Sequence, residues 1–578
     1  MAKFAFKKDS MSTKVRARCS GNATALFSKV SEMLPVQFYL GPSPKAWGMP
    51  VDMQASEPDD VLHNPDPVRD LKVDRGGRIL TARGLENLGC LFILCAGMLT
   101  LFLQGKDLNA RIGYPIIMHF KGTIQTTQGG FNLGGTNASG QVPIMSGNYQ
   151  LIDRDTPKDA YTRKSFDSGE EWALVFSDEF NTDGRTFYPG DDPWWEAVDL
   201  HYWGTVSILT TQNGALRIKI DRVDPINNHN LTYRSGMLQS WNKFCFTGGL
   251  IETAVTLPGS NSVSGLWPAV WTMGNLGRAG YGASLDGMWP YSYDSCDVGT
   301  LPNQTYPGTR TPAAAVQNGD PTQNGVLSFL PGQRLSACTC PGESHPGPMR
   351  TDGSYVGRSA PEIDILEATV DAEGGKVSLS AQWAPYNAAY NWKNTSDNLQ
   401  IYDPTKTVLN SYKGGVYQQT TSGLALANQD CYELQTQCFS VYGFEYKPGF
   451  DHSYITWIND GKPAWTLRAA GMSADAQTEI NARPVPQEPM YIIANLGFST
   501  NFAHLDLDLL AFPATMSIDY VRVYQPKDSL NIGCDPPDFP TAQYISTYTD
   551  VYANWNLSTW SSAGQPWPKN RQMKGGSC

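Results

Sequence analysis

Charged residues are scarce in this chain of 578 residues, where Asp, Glu, Lys and Arg make up only 17% of the sequence. The balance is acidic, with 55 Asp and Glu against 44 Lys and Arg, and the net charge of −11 argues against a nucleic-acid partner. Long helical patterns and internal repeats of fixed period are also missing, which argues against a helical bundle. Gly (55), Pro (39), Trp (16) and Tyr (27) are plentiful, which is typical of a loop-rich β protein with aromatic binding surfaces.

The longest apolar run without a charge is short, at sixteen residues from Leu88 to Leu103. As a helix it reaches roughly 24 Å, less than a bilayer core of about 30 Å, but Asn87 and Gln104 extend it at the interfaces. It begins too late for a cleaved signal peptide. The run predicts a transmembrane signal-anchor helix over 87–104. A buried core helix is the alternative, although the run is apolar on all sides.

The charges that flank this run predict its orientation. Basic residues are denser before the run than after it, so the positive-inside rule places the N-terminus in the cytoplasm. The chain is therefore predicted to be a single-pass type II membrane protein of the secretory pathway (endoplasmic reticulum, Golgi or plasma membrane), with its main domain lumenal or extracellular. The basic residues are Arg69, Lys72, Arg75, Arg78 and Arg83 before the run, and Lys106, Arg111 and Lys121 after it.

Cysteine is sparse, and eight of the eleven cysteines follow the apolar run. An even number fits a compartment that permits disulfides, and none of the spacings resembles a zinc site. Five Asn-x-Ser/Thr sequons lie on the same side, as expected of a glycoprotein. The cysteines are Cys245, Cys296, Cys338, Cys340, Cys431, Cys438, Cys534 and Cys578, and the sequon residues are Asn137, Asn230, Asn303, Asn394 and Asn556.

The remaining sequence divides by composition. Residues 1–86 lack periodicity and carry Pro, Ser and mixed charge, which predicts a disordered cytosolic tail. A Gly/Asn/Ser-rich stretch within 105–165 is typical of a stem. From 166 to 525 short β patterns dominate, interrupted at 274–355 by an insertion rich in Gly, Pro and Asn that predicts a functional rim. Residues 526–578 are predicted to form a C-terminal extension tied to the domain by disulfides.

Alternation and turn chemistry predict many short strands within 166–525. Residues 215–220 alternate strictly after an Asn-Gly turn, and 454–458 and 464–467 flank Asn459-Asp460-Gly461, a hairpin signal. Together these patterns predict an all-β fold, a concanavalin-like jelly-roll β-sandwich. Further strands are predicted at 172–177, 235–240, 249–257, 267–273, 362–368, 377–383, 439–446, 490–497 and 515–524.

The most informative segment places three carboxylates among large apolar residues, as Glu362-Ile-Asp-Ile-Leu-Glu367. In a strand, Glu362 and Asp364 share one face while Ile363 and Ile365 face the core, and Glu367 regains the acidic face through a β-bulge. Such a row repels itself unless protons are retained. It suits a cleft that needs both a proton donor and a carboxylate nucleophile. A solvated or salt-bridged acidic face is the alternative.

Two families resemble this chain. The string EIDILE is similar to the signature of glycoside hydrolase family 16 in its bulged E-x-D-x-x-E form. From about residue 80 to the C-terminus, the chain resembles the fungal Skn/Kre proteins associated with cell-wall β-glucan synthesis, a membrane-anchored branch of that family. The segments that carry this resemblance are SDEFN (177–181), DPWWE (192–196), SGMLQSWNKF (235–244), GLWPAVW (265–271), LPGQRLSACTC (330–340) and EPMYIIANLG (488–497).

The resemblance implies roles for the three acids in a retaining mechanism. Glu362 would be the nucleophile, Glu367 the general acid/base, and Asp364 the residue that orients and tunes Glu362. Many family 16 glucanases carry a His on the next strand, where this chain has Ser378-Leu-Ser-Ala-Gln-Trp383. The lack of this His affects which sugar subsites are expected to be preferred and whether simple hydrolysis is expected.

Aromatic residues are expected to line a sugar cleft, because the C–H faces of sugars stack on indole rings. Trp267 and Trp271 lie four residues apart and share a strand face, and Trp383 lies on the strand predicted to follow the acidic one. These three are predicted to bind the glycan, with core packing as the alternative for each. Arg234 and Asn495 are predicted to hydrogen-bond sugar hydroxyls, with structural roles as the alternative.

Three functions compete at this stage. The first is a membrane-anchored glycosidase or transglycosylase that acts in fungal cell-wall β-glucan biosynthesis, where the resemblance points to β-1,6-glucan. The second is a non-catalytic glucan-binding scaffold, which needs the aromatic residues but not the acids. The third is a chaperone-like secretory protein that acts on glycoprotein sugars. The three acids favour the enzyme. The expected partners are a β-glucan and a membrane, and no cofactor or metal is expected.

Overall fold

The structure is a computed structural model that describes residues 150–200, 208–573 and 578. The predicted tail (1–86) and transmembrane helix (87–104) lie outside the described residues, as does the first part of the predicted stem. Within the described ranges, no helix is long and apolar enough to cross a membrane. The α-helices there are α1 (Gly282–Leu285), α2 (Ala314–Gln317), α3 (Ala542–Thr547) and α4 (Thr549–Ala553). The 3₁₀ turns are Lys158–Tyr161, Pro225–Asn227, Val298–Thr300, Pro302–Gln304, Pro321–Gln323, Ala388–Tyr390 and Ala469–Met472.

Strands β1 to β20 dominate the described residues. They are β1 (Thr162–Lys164), β2 (Glu171–Asp178), β3 (Glu196–Ala197), β4 (Leu209–Thr211), β5 (Leu216–Arg222), β6 (Tyr233–Arg234), β7 (Met237–Gln239), β8 (Gly249–Thr256), β9 (Trp267–Gly274), β10 (Glu362–Asp371), β11 (Gly374–Trp383), β12 (Leu399–Ile401), β13 (Thr407–Leu409), β14 (Gly414–Gly415), β15 (Gln418–Leu426), β16 (Ser440–Lys447), β17 (Tyr454–Asn459), β18 (Lys462–Arg468), β19 (Met490–Gly497) and β20 (Ala514–Gln525). The predicted strands are confirmed as β2, β5, β7 to β11 and β16 to β20.

These strands form two antiparallel sheets that share one hydrophobic core. The nine-stranded sheet runs β13-β15-β11-β10-β9-β19-β7-β3, with β14 beside β15. The eleven-stranded sheet runs β1-β2-β20-β8-β16-β17-β18-β12, with β4 and β6 attached to β20 through β5. Ile363 and Ile365 of β10 pack in the same buried cluster as Phe444 and Trp457 of the opposite sheet. The all-β prediction is confirmed for the described residues, as two sheets that resemble a jelly roll.

The last residues of the predicted stem belong to the eleven-stranded sheet. Thr162–Lys164, near the end of the predicted stem (105–165), form β1 and pair with β2. The backbone N–H of Ser177 also donates to the Leu151 carbonyl at 2.9 Å. Residues 150–164 therefore belong to the sheet edge rather than to a free linker.

The insertion at 274–355 and the C-terminal extension at 526–578 pack together against the nine-stranded sheet. Met288 of the insertion and Trp560 of the extension belong to one buried cluster with Tyr491 of β19. The predicted disulfides are confirmed, and two of the four attach the extension to the rest of the domain. The pairs are Cys245–Cys534, Cys296–Cys338, Cys340–Cys578 and Cys431–Cys438.

A buried ion pair fixes the start of the acidic strand relative to the start of β19. Arg358 is fully buried, and its Nε and Nη2 donate to the two carboxylate oxygens of Glu488 at 2.8 Å each. The same carboxylate accepts from the backbone N–H of Ser359 at 2.9 Å. Because Arg358 lies just before β10 and Glu488 just before β19, this pair sets the position of both strands.

Replacing Arg358 by Ala should destabilise the protein by about 3–5 kcal/mol, because the Glu488 carboxylate would remain buried without its partner. Chemical denaturation with the disulfides intact measures the change. Lys527→Ala is the matched control, since it breaks an ion pair with Glu171 in which both side chains are about half exposed (54% and 53%). The control should leave the denaturation midpoint nearly unchanged. Equal effects of the two variants would contradict the prediction.

Candidate active site

Three acidic side chains lie on one face of β10, an inner strand of the nine-stranded sheet. Between Asp364 and Glu367, β10 advances three residues, while its partner β11 advances only two, from Ser380 to Ser378. The extra residue is a β-bulge, and it returns Glu367 to the face that carries Glu362 and Asp364. The predicted bulge is therefore confirmed.

The two outer acids each accept a hydrogen bond from an indole. Trp289 Nε1 of the insertion donates to Glu362 Oε2, and Trp267 Nε1 of β9 donates to Glu367 Oε1 at 3.0 Å. Both glutamates are half-buried, so each keeps part of its surface open to a ligand. An indole N–H donates and cannot accept a proton, so these contacts orient the carboxylates without neutralising them.

The central acid is held from both faces of the sheet. Asp364 is 1% exposed and accepts from Ser380 Oγ at 2.8 Å and from Gln382 Nε2 at 3.0 Å, both on β11. It also shares a hydrogen bond with Glu362. Its backbone carbonyl accepts from Trp457 Nε1 of the opposite sheet at 2.9 Å, which fixes the backbone beside the bulge. This burial excludes the solvated acidic face that the sequence left open.

Burial raises the pKa of all three carboxyls, and repulsion from neighbouring acids adds to the shift for Glu362 and Glu367. Burial, followed by the charges of Asp364 and Glu367, raises the pKa of Glu362 well above its usual value. Burial raises the pKa of Asp364 to about 6, although its hydrogen-bond donors oppose the shift. Burial and the Asp364 charge raise the pKa of Glu367 to about 8. At neutral pH Glu367 therefore keeps its proton, and the raised pKa values of Glu362 and Asp364 favour a second proton shared between them.

Three of the predicted sugar-binding residues lie beside the acids. Trp267 and Trp271 are both half-buried on β9, which pairs with β10. Trp271 Nε1 donates to Asn495 Oδ1 at 2.7 Å, and Trp267 stacks on Phe502 with ring centroids 4.4 Å apart. The structure thus brings Trp267, Trp271 and Asn495 together on the acidic face. Their contact with sugar stays a prediction.

Trp383 does not line the cleft, and that prediction is wrong. Its side chain is fully buried in the core between the sheets, where Nε1 donates to Thr421 Oγ1 at 2.9 Å. Side chains alternate along β11, so the position next to Gln382, which faces the acids, must face the core.

Arg234 lies apart from the acidic strand. It belongs to β6 of the eleven-stranded sheet, whereas the acids belong to the nine-stranded sheet. Its Nη2 lies 3.5 Å from Asp221 Oδ2, and both side chains are about one-third exposed. The structure does not bring Arg234 to the three acids, and its proposed sugar contact stays a prediction.

Trp289 and Tyr412 belong to the site but were missed from the sequence. Trp289 lies 73 residues before Glu362, inside the insertion. Tyr412 follows β13 and is 54% exposed, and partial burial raises its pKa together with the charges of Glu367 and Asp320. Neither residue has a periodic signal, because both lie in loops. The only available hint was that long loops beside a sheet often carry function.

A hydrogen-bond chain connects the Tyr412 loop to the acids. Asn410 Nδ2 donates to Ser422 Oγ of β15 at 3.1 Å, and Ser422 Oγ lies 2.9 Å from Ser378 Oγ of β11. Ser378 Oγ donates to Ser380 Oγ at 3.3 Å, and Ser380 donates to Asp364. The loop therefore lies above the same sheet face as the acids, at the edge opposite to β19.

Among the described residues, no group of three or more His, Cys, Asp and Glu side chains is arranged to hold a metal ion. Asp178 accepts from Arg185 through both carboxylate oxygens, at 2.7 and 2.8 Å. The arrangement at β10 is instead suited to acid–base and nucleophilic chemistry, because it combines protonated and ionisable carboxyls on one face.

Comparisons with known proteins show which family this chain is similar to. The family model for the beta-glucan synthesis-associated proteins SKN1/KRE6/Sbg1 matches residues 49–578. Beta-glucan synthesis-associated protein KRE6 of Saccharomyces cerevisiae is 41% identical over 542 residues, which cover 91% of this chain and 69% of that protein. Beta-glucan synthesis-associated protein SKN1 of Candida albicans is 40% identical over 544 residues, which cover 90% of this chain and 67% of that protein.

Solved glucanase structures are more distant. The catalytic domain of an endo-1,3-beta-glucanase (laminarinase) from Thermotoga petrophila is 18% identical, with 62% of this chain and 99% of that chain covered and a TM-score of 0.34. A non-specific endo-beta-1,3(4)-glucanase of family GH16 is 15% identical, with 61% and 95% covered and a TM-score of 0.34.

Proposed function

Because the chain belongs to the SKN1/KRE6/Sbg1 family of beta-glucan synthesis-associated proteins, we propose that it is a β-glucan-active glycosidase or transglycosylase. The observation that carries the proposal is the bulged strand, which places Glu362, Asp364 and Glu367 on one half-buried face with raised pKa values. A retaining double displacement needs this combination, namely one carboxylate to attack and one carboxylic acid to protonate the leaving oxygen.

In the first step, Glu362 attacks the anomeric carbon and the glycosidic C–O bond breaks. Glu367, protonated at neutral pH, donates its proton to the departing oxygen and becomes a carboxylate. The proton shared by Glu362 and Asp364 moves to Asp364 as positive charge develops on the sugar. Asp364 thereby keeps Glu362 ionised at the moment of attack, without two charges side by side.

In the second step, the Glu367 carboxylate removes a proton from an acceptor hydroxyl, whose oxygen displaces Glu362 from the anomeric carbon. Water as acceptor gives hydrolysis, and a sugar hydroxyl gives a new glycosidic bond. Tyr412 and Trp267 both neighbour Glu367, so a sugar acceptor can stack there and exclude water. This arrangement supports transglycosylation in β-glucan assembly, with β-1,6-glucan as the proposed polymer.

Product analysis by mass spectrometry tests the proposal. The full chain, purified in detergent, is incubated with defined β-1,3 and β-1,6 gluco-oligosaccharides. Products longer than the substrate indicate transfer, and products that are only shorter indicate hydrolysis. Binding of the oligosaccharides without any product rejects the enzyme and leaves the glucan-binding scaffold.

Replacing Tyr412 by Ala should lower transfer to sugar acceptors by about threefold to tenfold, because one aromatic contact is worth about 0.5–1.5 kcal/mol. Hydrolysis should change much less, since water needs no stacking surface. The ratio of transfer to hydrolysis products measures the effect. Tyr412→Phe keeps the ring and should retain most transfer, and Tyr188→Ala removes another ring, 45% exposed, as a control. An unchanged ratio in Tyr412→Ala would remove this residue from the acceptor site.

We also propose that the domain lies in the lumen of the secretory pathway, anchored by residues 87–104. The four disulfides support this, because cytosolic thiols stay reduced. Protease treatment of sealed microsomes should remove the N-terminal tail and spare the rest of the chain. Digestion of the domain in intact microsomes would reject this orientation.

A further inference from the structure

We propose that the cleft accepts only the non-reducing end of a glucan, because the insertion and the C-terminal extension close its glycone side. The inference rests on the proposed function and names its substrate class, chain ends rather than internal linkages. The closing structure is called the cap here and consists of residues 276–289 of the insertion and 544–567 of the extension.

The cap covers the acidic sheet face at the end of the site where Glu362 lies. In register with Glu362, Met273 of β9 and Tyr491 of β19 point to the same face, and they are 2% and 0% exposed. Both pack in one cluster with cap residues such as Tyr281 and Tyr552. The face that a sugar chain would otherwise cross is therefore already occupied by protein.

Specific hydrogen bonds hold the cap on this face. The backbone N–H of Ala279 donates to Tyr491 Oη at 2.9 Å. Arg278 donates from Nη2 to Glu196 Oε1 of β3 at 2.9 Å and from Nη1 to the Tyr552 carbonyl at 2.7 Å. Because β3 is the last strand on this side, the cap reaches from the acids to the sheet edge.

The cap ends at the nucleophile itself. Trp289, the last residue of the cap's first segment, donates from Nε1 to Glu362. The disulfide Cys245–Cys534 joins the chain just before the extension's helices to the segment that follows β7. These bonds hold the cap against the sheet, and the disulfide fixes the chain that leads into its second segment.

The Glu367 end of the site is open. Glu367, Trp267 and Ser378 are half-buried there, and Tyr412, whose pKa responds to the Glu367 charge, is 54% exposed. The bound glucan can therefore extend past Glu367 but not past Glu362.

The mechanism determines which part of the bound glucan lies at the capped end and which lies at the open end. The nucleophile meets the anomeric carbon of the glycone, and the acid meets the bridging oxygen of the leaving group. The glycone therefore lies toward Glu362, under the cap, and the leaving group lies toward Glu367. Only a short glycone fits, so the bond cleaved lies close to the non-reducing end.

A substrate without ends tests the inference. The full chain is incubated with a cyclic β-glucan and with a linear oligosaccharide of the same linkages, and initial rates are followed by mass spectrometry. We expect cleavage or transfer with the linear substrate and at least roughly tenfold less with the ring. Opening of the ring at a similar rate would overturn the inference and leave the proposed function intact. Failure on both substrates would reject the proposed function, and the inference with it.

A second comparison defines which end is read. Linear oligosaccharides are blocked either at the non-reducing terminus, by an acetal, or at the reducing terminus, by reduction to the alditol. The alditol should react like the free sugar, whereas the acetal should slow the reaction by at least roughly tenfold. The reverse result would overturn the assignment of the glycone to the capped side.

Discussion

Replacing Glu362 by Gln should lower turnover of β-glucan oligosaccharides by roughly 10³-fold or more, because no covalent glycosyl intermediate can form. Gln has nearly the shape of Glu and still accepts the hydrogen bond from Trp289. Sugar binding should therefore survive. Product analysis measures the first effect, and titration with a glucan oligosaccharide measures the second.

The stability of the same variant shows whether a loss of activity is chemical. The pKa of Glu362 is raised in the folded protein, so its ionisation costs folding free energy as the pH rises. Glu362→Gln removes this cost and should melt at the same or a higher temperature at pH 7 and above. Glu373→Gln, at the exposed end of the β10–β11 hairpin, is the matched control and should keep full activity. Unchanged turnover in a well-folded Glu362→Gln variant would favour the scaffold function.

Replacing Glu367 by Gln should lower turnover of natural glucans by roughly 10²–10⁴-fold, because the departing oxygen receives no proton. An aryl β-glucoside with an acidic phenol leaves without protonation. The variant should therefore react with this substrate almost as fast as the wild type in the first step, and the glycosyl-enzyme should accumulate. A burst of released phenol measures that step.

The pH dependence of the wild type follows from the same group. With the pKa of Glu367 at about 8, kcat/KM on natural glucans should fall as the pH rises through 8, since the acid form is lost. The fall should vanish in Glu367→Gln with the aryl substrate. Below about pH 6, a second proton on the Glu362–Asp364 pair should lower kcat/KM in the wild type and in Glu367→Gln, because the nucleophile can then no longer ionise. If kcat/KM of Glu367→Gln still falls as the pH rises through 8, the group that titrates there is another residue.

Local patterns predicted the strands well but missed the sheet edge. β5, β10 and β20 contain stretches of alternating apolar and polar residues, and this signal is independent of the rest of the chain. β12 to β14 are only two or three residues long and mostly half-exposed. They form because β15 and β18 offer unpaired edges, which no local pattern reveals.

The predictions for single tryptophans were also limited by information that lies outside the local pattern. Trp267 and Trp271 were correctly placed on one face because they are four residues apart on one strand. Trp383 was assigned to the cleft by its nearness to the acidic strand, without counting its register against Gln382. One step along β11 separates the cleft from the core.

The order of residues 362 to 367 was enough to determine the bulge, the shared acidic face and the need for retained protons, because strand geometry and charge repulsion act over a few residues. Tertiary structure alone decided what surrounds that face. Trp289, Tyr412 and the cap arrive from loops and a terminal extension whose paths depend on disulfides and long-range packing. Such contacts are set by the folded whole, and for that reason the chemistry could be inferred from the sequence but the closed side of the cleft could not.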